Sequence, residues 1–363
     1  MTKEALDALL LGFTGPEYQR YVAYQDQVPK GDIVAKQRYI AYVDANRPDM
    51  GVPELYYNEW DNPEADVDSM TEKKKLADKY KRLHSINAEK EGLKKWLVIQ
   101  KYARFGTVFD HSHSFIEINY MYSGSCTNIV DGCSIQMEAG DFIIMKPGSV
   151  HRIVWADEND LLMNIILLPY AAGTILDKTL VGASDLSAFM VEAIYGQTSR
   201  FSHLFLQTRG VEPIQTAMTN LMCDYYDNMQ DTAEITVGTY LQLVFALLWK
   251  ESMLYPQKAI YSNKPNVLVS QIVSHIQQYC MDCTRESVAA HFGYSTSRIS
   301  SLLAEHIGKS FIALRNEFRM EYAEKRLLNS TLPVKKIAEE CGFANVTQFY
   351  KTYREHFGRF PRK

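Results

Sequence analysis

The chain has 363 residues, 46 % of them apolar and 23 % charged, with a formal net charge of −4. That composition excludes a disordered or low-complexity protein and leaves room for two or three domains with sizeable cores. No run of 18 apolar residues exists, which excludes a hydrophobic transmembrane helix, and Leu9-Leu10-Leu11 follows acidic residues and is too short for a signal peptide. A cytoplasmic location is therefore expected.

Residues 1–95 carry no motif of known chemistry. Leu6, Leu9, Leu10 and Phe13 predict a first helix, and Gly15-Pro16, Pro29-Lys30-Gly31 and Pro48-Asp49-Met50-Gly51 break the segment. Thr71 to Glu91 is Lys-rich and helix-prone, which reads as a solvated helix face, with nucleic-acid contact the alternative. Tyr18, Tyr21, Tyr24, Tyr39, Tyr42, Tyr56, Tyr57 and Trp60 are too many aromatics for a disordered tail. An ordered, mainly helical extension packed on the next domain is expected.

From about residue 96 the pattern changes to short strands. Phe115–Tyr120, Cys126–Val130, Ser134–Met137, Asp141–Met145 and Leu161–Ile166 alternate or run apolar. Asp131-Gly132 is a hairpin turn and Pro147-Gly148 another turn. Gly106, His111, His113, Glu117 and Gly124 are followed by Gly140, Asp141, Pro147 and His151. This arrangement is similar to the two signature motifs of the cupin barrel, with one extra residue between the glycine and proline of the second. On one strand His111 and His113 point the same way. His111, His113, Glu117 and His151 are the residue types of a three-His, one-carboxylate site suited to Zn, Fe, Mn or Ni. Three readings stay open for them: a divalent metal site, effector contact without a cofactor, or barrel packing.

Pro213 to Met229 and Thr236 to Met253 have apolar residues at spacings of three and four, and Pro213 suits a helix start. These helices either dimerise or cover the barrel. Tyr255 to Val267, with two prolines, reads as the interdomain linker.

The last hundred residues contain two successive helix–turn–helix units. In the first, Val288 and Ala289 precede Gly293 and Ser295, and Ile299, Leu302 and Leu303 follow. In the second, Ile337 and Ala338 precede Gly342 and Asn345, and Phe349 and Tyr353 follow. Each glycine ends a short helix and each polar residue caps the next. Phe311, Leu314, Phe318, Tyr322, Ala323 and Leu327 repeat at helical spacing, predicting one connecting helix from Ser310 to Asn329. Outward positions on the two second helices are Ser297, Arg298, Ser300 and Ser301, then Thr347, Gln348 and Lys351. Gln pairs with adenine and Lys or Arg with guanine; Arg298 and Lys351 contact either bases or phosphate. Residues 264–363 hold 15 Lys and Arg against 9 Asp and Glu, and the remaining residues 24 against 34. A basic module on an acidic body is a nucleic-acid footprint at one end.

On Ile337-Ala338, Gly342-Phe343, Phe349, Tyr350-Lys351, Tyr353-Arg354, His356-Phe357-Gly358 and Pro361, the stretch from about 270 resembles the DNA-binding domain of AraC/XylS-type transcription regulators. Tyr353 stands where phenylalanine is usual and Phe360 where threonine is common. The resemblance implies two recognition helices reading successive major-groove segments on one face of the DNA. Cys280-Met281-Asp282-Cys283 in this region is a CxxC without a second pair, which argues against zinc. Buried thiols in a reducing compartment are the expectation and redox sensing the alternative.

Together these readings give an α+β protein: a helical extension (1–95), a cupin-like effector-binding barrel (96–170), a helical dimerisation or cover region (171–262) and an all-α double helix–turn–helix domain (265–363). The expected function is a sequence-specific transcription regulator and not an enzyme; activation is the expectation, with repression left open by the residues. Its expected partners are double-stranded DNA, RNA polymerase, a small-molecule effector and a second copy of the chain. The alternatives are a metal-dependent cupin enzyme and a regulator that works without an effector.

Overall fold

The computed structural model describes the chain outside residues 13–14, 29–32, 46–53, 56–96, 103, 106–109, 114, 155, 169–171, 174–183, 197–202, 228–232, 263–264 and 362–363. The Lys-rich run 71–91 and Gly106 lie outside the described residues. Two compact units form: Met1–Thr179 with Ser199–Lys264, and Leu180–Thr198 with Pro265–Lys363. Among the described residues no helix is long and apolar enough to cross a membrane.

The first unit begins with helices α1 (Lys3–Leu11), α2 (Gly15–Gln27) and α3 (Ile33–Ala45). Thr2 caps α1 by accepting from the Ala5 amide at 3.3 Å. A buried charge network fastens these helices to the barrel. Glu17 and Arg104 are both fully buried. Glu17 Oε1 accepts from Arg104 Nε at 3.0 Å and its Oε2 accepts from Lys101 Nζ at 2.8 Å. The two cations also meet carbonyls at the end of α1: Lys101 donates to Leu10 and Gly12, and Arg104 to Leu11 and Gly12. These are the carbonyls a helix leaves orphaned, and cations suit the negative end of its dipole.

The barrel comprises β1 (Glu54–Leu55), β2 (Leu97–Lys101), β3 (Ser112–His113), β4 (Ile116–Ser123), β5 (Ser125–Val130), β6 (Cys133–Glu138), β7 (Phe142–Met145), β8 (His151–Ile153), β9 (Leu161–Leu167), β10 (His203–Leu206) and β11 (Ala259–Tyr261). One sheet has the order β11-β10-β7-β4-β9-β2 and a second the order β6-β5-β8, each antiparallel, while β1 pairs with β3 in parallel. Asp131 and Gly132 both have positive φ, 49° and 78°, the requirement of a type I′ hairpin turn. Met121, Cys126, Val130, Ile135, Met137, Ile143, Met145, Ile153, Leu162 and Phe205 form one buried cluster. Strand alternation therefore turns Glu117 and Asn119 toward the same interior as Met121.

Two strands fall where the sequence pattern indicated helices or a linker. His203–Leu206 is a run of four residues, all buried. It shows no alternation because both of its faces are covered. Ala259–Tyr261, inside the expected linker, pairs with it as an edge strand. The helices α4 (Asp185–Tyr195), α5 (Glu212–Tyr226) and α6 (Ala233–Leu254) follow β9, with β10 between α4 and α5 and β11 after α6. α5 and α6 belong to the barrel unit, but α4 belongs to the second unit. There Tyr195 meets Phe318 at 4.9 Å, and Glu192 accepts from the Asn266 amide at 3.2 Å. The expected 171–262 region is thus divided between both units.

The second unit adds α7 (Val267–Gln278), α8 (Arg285–Phe292), α9 (Thr296–His306), α10 (Phe311–Asn329), α11 (Val334–Glu340) and α12 (Val346–Phe357). The connecting helix α10 starts on the Ser310 cap, as its spacing predicts. Tyr322 departs from the expected apolar stripe and is 40 % exposed.

Candidate functional site

The local chemistry of each helix–turn–helix is visible in its caps. Thr284 and Ser287 make a reciprocal capping box at the start of α8, and Ser295 caps α9 through the Arg298 amide at 3.2 Å. Gly293 sits between them at φ 71°. In the second helix–turn–helix Gly342 has φ 73°, and Asn345 caps α12 through the Thr347 amide at 2.8 Å. Val288, Ala289, Ile299, Leu302 and Leu303 are buried in the first helix–turn–helix. Ile337, Ala338, Cys341, Phe343, Phe349 and Tyr353 are buried with Met320, Ala323 and Leu327 of α10 in the second.

That packing fixes which side chains face out. Ser297, Arg298 and Ser301 on α9 and Thr347, Gln348 and Lys351 on α12 are exposed. Ser300 is the departure: it is half-buried, and its hydroxyl donates to the Thr296 carbonyl at 3.0 Å. The hydroxyl proton of Ser300 is thus taken by its own helix. Lys351 stands 3.9 Å from Glu355, an exposed pair of little strength. Arg354, exposed one turn beyond Lys351, extends the α12 face. It was not among the outward positions read from the sequence, although its three-residue step from Lys351 was there to be read.

In the barrel, the structure brings His111, His113, Glu117 and His151 together. Backbone hydrogen bonds join His111 to His151 in both directions, at 3.2 and 2.8 Å. The rings of His111 lie 4.7 Å from His113 and 4.4 Å from His151. Glu117 Oε2 lies 2.8 Å from His113 Nε2 and 3.2 Å from His151 Nε2. An asparagine ladder, missed by the sequence reading, holds the other oxygen. Asn119 donates to Glu117 Oε1 at 2.9 Å and to Asn164 at 3.0 Å, and accepts from Asn128 at 2.6 Å. Its signal was parity, since Asn119 lies two residues beyond Glu117 on one strand face.

The charges in this cluster follow from burial and contact. Burial alone would raise the Glu117 carboxyl, but the charges of His151 and His113 and their hydrogen bonds hold it well below its ordinary value. Burial lowers both imidazoles, while Glu117 raises them. For His151 the raising wins, helped by the Ser149 carbonyl on Nδ1; for His113 burial wins. His151 can donate from both ring nitrogens, to Ser149 at 3.1 Å and to Glu117. His113 Nε2 faces Glu117, and among the described residues its buried Nδ1 has no hydrogen-bond partner. Of the two imidazoles beside Glu117, His151 is therefore the more readily protonated and His113 the less.

His111, His113 and His151 could hold a divalent cation. One ligand atom each from His111, His113 and His151 lies within 4.8 Å of the others. Ligand atoms about 2.1 Å from one ion and at right angles sit about 3 Å apart. The two Glu117–histidine separations, 2.8 and 3.2 Å, match that spacing. His151 also has the carbonyl partner on its second nitrogen that orients metal-binding histidines.

Residues 288–363 match the family model of a helix-turn-helix domain, and residues 98–167 match that of a cupin domain. The HTH-type transcriptional activator RhaS of Escherichia fergusonii is 21 % identical over 260 residues, 71 % of this chain and 87 % of that protein. The uncharacterised HTH-type transcriptional regulator YpdC of Escherichia coli K12 is 34 % identical over 83 residues, 23 % of this chain and 29 % of that protein. The chain spans 29 %, 44 % and 26 % of the lengths of YpdC, YijO and the xylose operon regulatory protein of Escherichia coli. Among solved structures, ToxT of Vibrio cholerae with a bound unsaturated fatty acid has 14 % identity and a TM-score of 0.31, covering 74 % of this chain and 94 % of that one.

Proposed function

From a chain that carries a cupin domain and, C-terminal to it, an AraC-type helix–turn–helix domain, we infer a transcription regulator that binds double-stranded DNA and responds to a small molecule. The observation that carries this reading is the pair of capped helices, α9 and α12, on one basic module. Each presents an exposed polar face, with Arg298 on the first and Gln348 and Lys351 on the second. Side chains on such helices reach base edges, while neighbouring cations hold phosphate. RhaS and YpdC carry the names of transcription regulators, which favours a regulator over a cupin enzyme.

The effector site of this reading is the interior around His111, His113, Glu117 and His151. Ligand binding there shifts the population of DNA-binding states. A second copy of the chain is the partner proposed for α6, whose Leu243, Trp249, Met253 and Leu254 are exposed. The cytoplasm is the location proposed for a regulator that works on DNA, and RNA polymerase the partner proposed for activation.

A second reading of the barrel site, favoured by its donor spacing, adds a divalent cation. When bound, the cation supplies a Lewis-acid anchor for an effector oxygen. Elemental analysis of untagged protein decides between the two, with stoichiometric Zn, Fe, Mn or Ni supporting the cation and its absence supporting direct contact. Library selection tests the function itself. The full chain should enrich duplexes with one recurring motif from a random pool, and enrichment of none overturns the reading.

A further inference from the structure

α9 and α12 can read one DNA face only if their separation and rotation are fixed. The connecting helix α10 carries a side chain that touches the entry to the first helix–turn–helix and the turn of the second. Arg319 is 7 % exposed. Its Nε donates to the Cys280 carbonyl at 2.7 Å and its Nη2 to the Met281 carbonyl at 2.6 Å. Its Nη1 donates to the Gly342 carbonyl at 3.1 Å. The guanidinium also faces the Phe343 ring, 5.4 Å from its centroid. Residues 280–283 lead directly into the Thr284 cap of α8, and Gly342 lies between α11 and α12. One planar fork therefore joins both helix–turn–helix motifs, within the second compact unit.

Two further observations locate the same joint. One turn earlier on α10, Arg315 Nη1 donates to the Cys283 carbonyl at 3.0 Å. On the opposite side, a Cβ added at Gly342 would lie 2.6 Å from the Met281 carbonyl oxygen and 2.8 Å from Arg319 Nη2. The two loops are thus as close as backbone permits, and the second unit needs its glycine here for space as well as for φ. The Cys-x-x-Cys stretch also finds its use. It offers carbonyls to two arginines, while burial raises its thiols, Cys280 to about 11, so they are poor nucleophiles.

Apolar packing alone resists separation but tolerates small rotations between helices. A guanidinium donates along fixed directions in one plane, and an ammonium has no such fork. Resting on the DNA-reading function above, we propose that Arg319 is a positioning residue that sets the pitch between the two reading helices and hence the base-pair spacing between the DNA segments they read. One base pair is about 3.4 Å of rise, so a small tilt at this joint, carried out to α12, changes the register.

The test uses the full chain and a duplex that it selects from a random library. Affinity is measured for that duplex and for versions with one base pair inserted or deleted between the two segments. The wild type should lose about tenfold or more on either change. Arg319→Lys, which keeps the charge and loses the fork, should bind all three duplexes within about threefold of one another. A uniform loss of affinity by Arg319→Lys with the spacing preference intact overturns the proposal and leaves a merely structural role, and so does unchanged binding. If Arg319→Lys melts below the assay temperature, Gly342→Ala displaces the same fork from the other side. It should shift or flatten the preferred spacing, and an unchanged preference overturns the proposal. If the wild type selects no duplex, the DNA-reading function fails, and that result is separate.

Discussion

Replacing Glu17 by alanine should release the N-terminal helices from the barrel. Its carboxylate is fully buried, and it answers Arg104, also fully buried, and Lys101. Removing it leaves two cations in the interior without their carboxylate. Breaking a buried pair from one side costs about 3–5 kcal/mol, because an uncompensated charge remains. For a unit of this size each kcal/mol moves the melting point by roughly 2–4 °C, so the barrel transition should fall by about 10 °C. Glu17→Leu combined with Arg104→Leu should cost less than Glu17→Ala, since the apolar pair leaves one fewer unmatched charge. Thermal melts of the full chain measure both variants, and hydrogen exchange reports residues 3–12 separately. A shift under about 2 °C with unchanged exchange in α1 would refute the reasoning.

Three other outcomes are expected. Gln348→Ala or Lys351→Ala should cost about 1–3 kcal/mol at one base position and relax preference there; a loss uniform over all sequences, with a smaller salt slope, assigns them to phosphate. His113→Ala and His151→Ala should keep DNA affinity yet lose the response to effector in a reporter assay, and an unchanged response makes the cluster structural. Phe349→Ala removes a fully buried ring beside Phe343 and Tyr353; it should destabilise the second unit by about 3–5 kcal/mol in a denaturant titration, and a cost under 1 kcal/mol would contradict the core described above.

The DNA module was the most legible part of the chain because its signals are local. Gly293, Ser295, Gly342 and Asn345 act within one turn of their own position, and the apolar period of α10 needs no partner to be read. The hairpin at Asp131-Gly132 was legible for the same reason. Longer-range pairings left no such trace. β10 has four buried residues and no alternation, and its partners β7 and β11 lie about 60 residues away on either side. α4 is buried at nearly every position, so its period names no face, and only its contacts place it with Phe318 and Asn266. In the barrel site the four motif residues were visible, but their support was not. Asn119 meets Asn164 only because β4 pairs with β9 in that register. Glu17 and Arg104 stand 87 positions apart, and nothing in either neighbourhood announces the pair.

Hydroxyl-radical footprinting of the full chain on its selected duplex tests the central claim most directly. Two capped helices on one module should protect two patches about one helical turn, roughly 34 Å, apart on the same DNA face. Arg298→Ala should weaken one patch and Lys351→Ala the other. Protection spread evenly along the duplex, or none at salt concentrations where the chain is folded, would contradict the assignment of α9 and α12 as the two reading helices.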